Sequence, residues 1–222
     1  MPFDLSLADI FGVENEFYRR ADPSRISKFL SHAKLYEMSL GLPGHFLEAG
    51  VFRGASFCRF RKLARLFQPD HARSFFGFDV FGRFPAAEYE EDRAELARQI
   101  ELSGDLSIDV DTLRQLLNEQ GLGGNVELIK GDVCKTLPAF LASHRQLSFA
   151  IVNIDLDLYE PTRTAVRELY PRLVRNGIMI LDDYEGFPGA KQAVDEYFAD
   201  AGIQAPIRKF SFALSPCYVV KP

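Results

Sequence analysis

Two apolar segments that each end in aspartates constrain the possible fold more than any other feature of this chain. One segment runs from Ile151 to Asp157 and the other from Gly177 to Tyr184. Segments that are apolar on both faces are typical of buried parallel strands, and the amphipathic stretch 161–174 between them predicts the connecting helix. Neighbouring parallel strands place their carboxyl ends at one edge of an open sheet, where ligands bind. We therefore expect an α/β fold with an acidic, ligand-binding edge.

Alternating strand and helix patterns extend this unit over most of the chain. Further strands are predicted at 46–50, 74–79, 126–130, 207–213 and 217–220, the last two antiparallel. Helices are predicted at 6–40 with a break near Asp22, where Ser24 is a candidate cap, and at 54–67, 88–102, 136–144 and 190–201; a further helix begins at Asp109 or Asp111 and ends at Gln120. This order predicts an N-terminal helical cover of residues 1–43 and one doubly wound, Rossmann-like α/β domain of residues 44–222. Its sheet is expected to be seven-stranded and mostly parallel, with an antiparallel C-terminal strand.

The charge and the apolar pattern argue against several classes of partner. The formal net charge is -5 over 222 residues, whereas a nucleic-acid-binding domain is usually basic. No apolar run approaches the length of a membrane span, and the N-terminus lacks the basic and apolar regions of a signal peptide. Three cysteines without the spacing of a metal site fit a reducing compartment. We therefore expect a cytoplasmic protein that binds neither nucleic acid nor membranes.

Three aspartates at the ends of the two apolar strands are the strongest functional candidates. Asp155 follows the first strand, and Asp182 and Asp183 follow the second. Carboxylates held together repel one another, and a divalent cation that prefers oxygen ligands, such as Mg²⁺, would remove that repulsion. No histidine or cysteine lies among them, which argues against zinc. The alternative is that the paired aspartates and Asp157 are solvated caps. Asp157 stays outside the predicted ligand set because it is also a candidate cap of the next helix.

The loop after the first predicted strand has a glycine pattern that suits a small zwitterionic ligand. Gly50 permits a tight turn and close approach of a ligand, and Gly54 lies at the start of a helix whose free amides favour a carboxylate or phosphate. Glu48 is placed to bind an ammonium group directly or through water, and Ser56 is a further candidate contact. The glycine spacing differs from the dinucleotide fingerprint. S-adenosylmethionine carries the matching groups; the alternative is a purely structural turn.

Two further acids follow predicted strands and extend this candidate binding site. Asp79 ends the second strand, where an acid commonly accepts hydrogen bonds from two ribose hydroxyls. Asp132 follows the third strand and is placed to accept a hydrogen bond from an adenine amino group. Each residue has an alternative role as a cap of a turn or helix. For Asp132 that helix is the one expected to begin near Thr136.

Five motifs together resemble the macrocin O-methyltransferase family. They occur in the family's order within residues 44–198, and they are Gly50–Gly54, Phe78–Phe81, Thr136–Pro138, Asp155–Thr162 and Asp182–Tyr184. The resemblance implies a Rossmann-like methyltransferase that uses S-adenosylmethionine and a divalent cation, usually Mg²⁺. It also implies a small-molecule acceptor with a hydroxyl group, namely a sugar, a polyol or a related natural product, and it allows for a homo-oligomer.

The resemblance also assigns roles to individual residues. Asp155, Asp182 and Asp183 correspond to the metal-binding acids, and through the cation they are the expected catalytic residues. The positions that correspond to the cofactor loop are Glu48, Gly50, Gly54 and Asp79. Methyl transfer to a hydroxyl also requires a proton acceptor, for which His32, His45 and a metal-binding carboxylate are candidates.

Two other functions remain as alternatives at this point. One is a non-catalytic module that binds adenosylmethionine or a nucleotide, which would need the glycine loop but no clustered acids. The other is an O-methyltransferase of a phenolic, non-sugar acceptor. A nicotinamide-dependent oxidoreductase is disfavoured because its glycine fingerprint is absent from the first loop.

Overall fold

The computed structural model describes residues 7–69 and 72–222, and in these residues seven strands form one sheet. The strands are β1 (His45–Ala49), β2 (Phe75–Asp79), β3 (Val126–Lys130), β4 (Phe149–Ile154), β5 (Leu173–Leu181), β6 (Arg208–Lys209) and β7 (Cys217–Val220). They lie in the order β3-β2-β1-β4-β5-β7-β6. Strands β1 to β5 pair in parallel, whereas β7 is antiparallel to both β5 and β6. The predicted doubly wound, mostly parallel sheet with an antiparallel C-terminal strand is confirmed.

Helices cover both faces of this sheet. They are α1 (Leu7–Arg20), α2 (Pro23–Met38), α3 (Ala55–Phe67), α4 (Arg93–Ser103), α5 (Val110–Glu119), α6 (Val133–Ser143), α7 (Tyr159–Leu169) and α8 (Pro188–Asp200). Successive residues of a strand point to opposite faces, so Phe46 and Leu47 of β1 belong to different apolar clusters. One cluster joins the sheet to α6, α7 and α8, and the other joins it to α2, α3 and α5. Burial on both faces explains why the central strands are mostly apolar.

Several boundaries differ from those predicted, and local chemistry accounts for the differences. Asp22 rather than Ser24 caps α2, because its carboxylate accepts a hydrogen bond from the Ser24 amide at 2.9 Å. Asp109 caps α5, which decides between the two predicted starts. The helix predicted over 161–174 instead spans Tyr159–Leu169, is followed by a 3-10 turn at Tyr170–Arg172 and gives way to β5 at Leu173, because Pro171 has no amide hydrogen to continue the α-helical hydrogen bonds. The strand predicted over 207–213 is reduced to two residues.

The N-terminal helices differ in how they contact the sheet domain. The α2 helix packs on α3 and buries Leu35 and Tyr36 completely. By contrast, α1 is exposed along residues 9–20, including the side chains of Phe11 and Tyr18. The first six residues of the predicted cover lie outside the described residues, and its boundary at residue 43 remains a prediction. In the described part of the chain, no helix combines the length and apolarity needed to cross a membrane.

Candidate active site at the carboxyl edge of the sheet

The carboxyl ends of β4 and β5 meet at the edge of the sheet where the sequence predicts a site. Ile154 pairs with Leu181, so the next residues, Asp155 and Asp182, lie side by side. The amide of Asp182 donates to the Ile154 carbonyl at 3.0 Å, and the amide of Asp155 donates to the Ala49 carbonyl at 2.9 Å. The strand order reverses between β1 and β4, which is where ligands bind in open α/β sheets.

An acidic cluster forms at these strand ends. Asp155, Asp157 and Asp183 each place a carboxylate oxygen within 4.8 Å of the others. The Asp157 amide donates to the Asp183 carboxylate at 2.9 Å, and Asp157 itself has a left-handed φ of 60°. That turn directs Asp157 toward its neighbours, so a residue left outside the predicted ligand set belongs to the cluster. The aspartate-x-aspartate spacing of Asp155 and Asp157 is the signal in the sequence for this arrangement.

Asp182, which was predicted as a ligand, makes a different contact. One of its carboxylate oxygens lies 2.6 Å from the Lys28 ammonium, which is also 3.6 Å from an Asp155 oxygen. The other carboxylate oxygen of Asp182 is buried and has no hydrogen-bond partner in the described residues. The structure therefore places Asp182 beside the cluster, paired with a lysine from α2.

Burial and mutual repulsion change the acidity of the clustered carboxyls. Burial and the neighbouring Asp182 raise the pKa of Asp155 to about 7, and the same two causes raise the pKa of Asp157 to about 6. Burial and Asp157 also raise the pKa of Asp183 above its ordinary value. Each carboxyl therefore loses its proton less readily than an isolated aspartate, and a positive charge at this position would favour the ionised forms.

The cluster has suitable chemistry for a hard divalent cation. Such ions bind carboxylate oxygens at about 2.0–2.6 Å, so two oxygens that share one ion lie at most about 5 Å apart. The separations within the cluster are at most 4.8 Å and so are compatible with one ion, and Asp182, which keeps an unpartnered oxygen, is adjacent to Asp183 in the chain. Asp155, Asp157 and Asp183 thus fit Mg²⁺ or a similar cation, with Asp182 as a neighbouring acceptor.

A cavity of about 760 Å³ lies beside the acidic cluster. It is bordered by the loops that follow β1, β2, β3 and β4, together with residues of α2 and α4. Five predicted cofactor residues line it, namely Gly50, Ser56, Asp79, Asp132 and Asp155. Its volume is typical of a pocket for a small molecule or cofactor.

Asp79 holds the glycine loop in place. One carboxylate oxygen accepts from the amides of Val51 and Phe52 at 2.9 and 2.8 Å, and the other accepts from the Phe81 amide at 2.7 Å. Asp79 also lines the cavity, so the same side chain stabilises the turn and lies where a cofactor contact was predicted. Asp132 likewise borders the cavity while capping α6, since its side chain accepts from the Cys134 amide at 2.9 Å.

Comparison with known proteins identifies the family of this chain. The family model for macrocin-O-methyltransferase (TylF) matches residues 25–213. The chain belongs to the macrocin O-methyltransferase family. The match includes the glycine loop and both acidic strand ends, so the predicted resemblance is confirmed.

Two curated relatives of this chain are named as O-methyltransferases. The 8-demethyl-8-(2,3-dimethoxy-alpha-L-rhamnosyl)-tetracenomycin-C 4'-O-methyltransferase of Streptomyces olivaceus is 32% identical over 75% of this chain and 62% of its own length. The demethyldecarbamoylnovobiocin O-methyltransferase of Streptomyces niveus is 30% identical over 71% of this chain and 59% of its own length. The chain therefore spans less than two thirds of these two relatives.

A solved structure shows the same fold in a related enzyme. The apo structure of a TDP-rhamnose 3'-O-methyltransferase from calicheamicin biosynthesis is 26% identical to this chain. The two structures superpose with a TM-score of 0.71, over 97% of this chain and 88% of the other. This agreement supports the assignment of the chain to a Rossmann-like methyltransferase fold.

The buried Glu48 is the predicted cofactor residue that differs most from expectation. Its side chain is fully buried, and one oxygen accepts from the Asn153 amide group at 3.0 Å. Burial raises the pKa of Glu48 to about 8, so the carboxyl retains its proton near neutral pH. Neither Glu48 nor Gly54 borders the cavity, and Gly54 instead starts α3 with a φ of 82°.

Neither histidine named as a candidate base lines the cavity. His45 begins β1, at the opposite end of that strand from Gly50, and its ring accepts from the Ser74 amide. His32 is fully buried, stacks on Phe60 at 4.6 Å and lies 3.1 Å from the Arg59 guanidinium. Burial and the nearby cations hold the pKa of His32 well below its ordinary value. Carboxylates rather than imidazoles therefore border the cavity in the described structure.

Two residues that support the site were missed by the sequence analysis. The sequence did not indicate a role for Lys28 at the site, because a lysine on an amphipathic helix is usually solvated. Asp92 lies in the acidic connection after β2, yet it is fully buried and accepts from the amides of Tyr159 and Gly189 at 2.9 and 2.8 Å. It thereby joins the α4 wall of the cavity to the starts of α7 and α8. No local pattern distinguishes this aspartate from its exposed neighbours.

Proposed function

We propose that this protein transfers a methyl group from S-adenosylmethionine to a hydroxyl of a small natural product, with the help of a divalent cation. The observation that carries this proposal is the position of the acidic cluster directly beside the cavity. Asp155 belongs to both, so a cation held by the cluster would lie next to a ligand in the cavity. That arrangement suits a reaction in which an acceptor oxygen must be held against a methyl donor.

The cavity supports the cofactor part of the proposal. Gly50 lets the chain turn without a side chain at the cavity wall, and Ser56 adds a hydroxyl at the start of α3. The exposed amides at that helix start favour the carboxylate of the methionyl group. Asp79 and Asp132 offer carboxylate oxygens from the neighbouring loops to the hydroxyl and amino groups of an adenosyl group.

The acidic cluster supports the cation part of the proposal. Asp155, Asp157 and Asp183 would hold Mg²⁺ or a similar ion, and Asp182 remains a candidate ligand through its unpartnered oxygen. A bound cation supplies positive charge that lowers the pKa of an acceptor hydroxyl and orients its oxygen. Burial and the neighbouring Asp182 raise the pKa of Asp155 to about 7 and that of Asp157 to about 6, and a bound cation would favour the ionised forms of both carboxyls.

The names of related proteins support a proposal for the acceptor class. Two of the related enzymes are named for the methylation of a rhamnosyl group or of TDP-rhamnose. We propose a deoxysugar, or a comparable polyol, as the acceptor. The walls formed by α2 and α4, which contribute Arg25 and Gln99 among other residues, are placed to contact its remaining polar groups.

The cofactor proposal is tested by calorimetry with S-adenosylhomocysteine, followed by methyl transfer from labelled S-adenosylmethionine to a panel of glycosides and nucleotide sugars. We expect binding without added metal and transfer that requires a divalent cation. The Asp155→Asn variant should lose transfer by at least about 100-fold. The exposed Asp200→Asn variant, at the end of α8, is the matched control and should keep full activity.

Each part of the proposal fails on a distinct result. The absence of S-adenosylhomocysteine binding would contradict the methyltransferase assignment. Full transfer in the presence of a chelator would contradict the cation role and leave the cofactor role intact. Transfer to simple phenols in preference to every glycoside would contradict the sugar acceptor.

A further inference from the structure

Lys28 brings a positive charge from α2 directly to the acidic strand ends. Its ammonium nitrogen lies 2.6 Å from a carboxylate oxygen of Asp182 and 3.6 Å from one of Asp155. The contact is shielded from solvent, because the side chains of Lys28 and Asp182 are only 20% and 8% exposed. A lysine in this position neutralises part of the repulsion between the carboxylates, which is also the effect expected of a bound cation.

The surroundings of Lys28 show that its charge and a metal ion would act on the same acids. Asp155 belongs to the three-carboxylate cluster and is also one of the two partners of Lys28. Lys28 also lines the cavity, so the ammonium has space to move away from the strand ends. The second oxygen of Asp182 is buried without a hydrogen-bond partner in the described chain, which leaves one acceptor unused while Lys28 holds the other.

We propose that Lys28 is a built-in counter-ion that competes with the divalent cation for Asp155 and Asp182. In the metal-free protein the ammonium reduces the repulsion between the carboxylates at the strand ends and holds α2 against them. When a cation binds, Lys28 leaves these carboxylates and turns toward the cavity. This inference rests on the proposed cation site, and it makes the cation affinity depend on the position of a helix that also forms a cavity wall.

The expected size of the effect follows from competition between two states. If the protein is more than 90% in the Lys28-paired state, the apparent cation affinity is weakened by about tenfold or more. Removing the ammonium removes this competition but leaves the carboxylates in place. It also leaves the metal-free protein with uncompensated negative charge, so that protein should melt at a lower temperature.

The experiment is titration of the purified, chelator-treated protein with Mg²⁺ alone in a calorimeter. The test variants are Lys28→Met, which removes the charge and keeps most of the side-chain volume, and Lys28→Gln, which can still donate to Asp182. The matched control is Lys34→Met, which removes an exposed lysine from the same helix. Melting temperatures with and without Mg²⁺ are measured for every protein.

We expect Lys28→Met and Lys28→Gln to bind Mg²⁺ at least about tenfold more tightly than the unmodified protein, and Lys34→Met to be unchanged. The metal-free Lys28 variants should melt at a lower temperature and regain most of the loss when Mg²⁺ is added. Equal or weaker Mg²⁺ binding in both Lys28 variants would overturn the proposal, as would an absence of Mg²⁺ binding in all four proteins. The cofactor assignment is tested separately, because S-adenosylhomocysteine binding is measured without metal.

Discussion

A single added methyl group at Gly50 should disrupt both the fold and the site. In the Gly50→Ala variant the new Cβ would lie 1.6 Å from the Asp155 carbonyl oxygen and 2.5 Å from its carbonyl carbon. Atoms of these types approach no closer than about 3 Å, so the loop after β1 and the end of β4 must separate by more than 1 Å. Gly50 also has a φ of 90°, which a residue with a Cβ adopts only under strain.

The cost can be approximated from these two effects. Overpacking of a rigid interior costs about 1–3 kcal/mol, and the positive φ of a residue with a Cβ adds about 1–2 kcal/mol. We therefore expect Gly50→Ala to lower the free energy of unfolding by roughly 2–5 kcal/mol. The displaced backbone belongs to Asp155, so Mg²⁺ binding should weaken in the protein that remains folded.

Urea denaturation measures the free energy of unfolding, and calorimetry measures the binding of Mg²⁺ and S-adenosylhomocysteine. Gly41→Ala is the matched control, because its Cβ would have no atom within 4 Å and its φ lies outside the left-handed region. That control should change the stability by less than about 0.5 kcal/mol. Equal stability of Gly50→Ala and Gly41→Ala would refute the close contact between the glycine loop and Asp155.

Two further perturbations address buried carboxyls near the site. Burial raises the pKa of Glu48 from its ordinary value of 4.5 to about 8. Between these two pH values the folded protein holds a proton that the unfolded chain releases. The free energy of unfolding therefore falls as pH rises through this window. Urea unfolding at several pH values should show Glu48→Gln gaining stability relative to the unmodified protein as pH rises through this window, and Glu127→Gln, at an exposed position, is the matched control without this gain. Asp92→Ala removes the acceptor for the Tyr159 and Gly189 amides at two helix starts and should cost roughly 1–4 kcal/mol, at about 0.5–2 kcal/mol for each cap. A loss no larger than that of the exposed Glu90→Ala would contradict this role.

Helix ends were predicted less accurately than strands, and the reason is local competition between caps. Asp22 and Ser24 are both good capping residues, and their spacing in the sequence does not say which side chain will reach a free amide. Asp132 was predicted either to cap a helix or to contact adenine. In the structure it caps α6 and also lines the cavity. Such choices depend on how the chain enters each helix, which the tertiary packing sets.

The acidic cluster likewise combines features that the sequence pattern predicts with features that only tertiary packing sets. The proximity of Asp155, Asp182 and Asp183 was predictable, because they follow apolar strands whose carboxyl ends meet at one edge of the sheet. The sequence did not reveal that Asp157 would turn toward the Asp183 carboxylate, because this requires a left-handed residue in the loop. It also did not reveal the ion pair of Lys28 with Asp182, since these residues are 154 positions apart in the chain.

The amino-acid sequence by itself determined the α/β class, the mostly parallel sheet of a doubly wound domain and the edge at which acids and glycines gather. It did so because the periodicity of apolar residues and the geometry of parallel strands are local or topological properties. Only the tertiary structure decided which carboxylates are close enough to share a cation and which one pairs with a lysine. Those outcomes depend on side-chain directions and distances between distant segments, which become defined only when the helices pack onto the sheet.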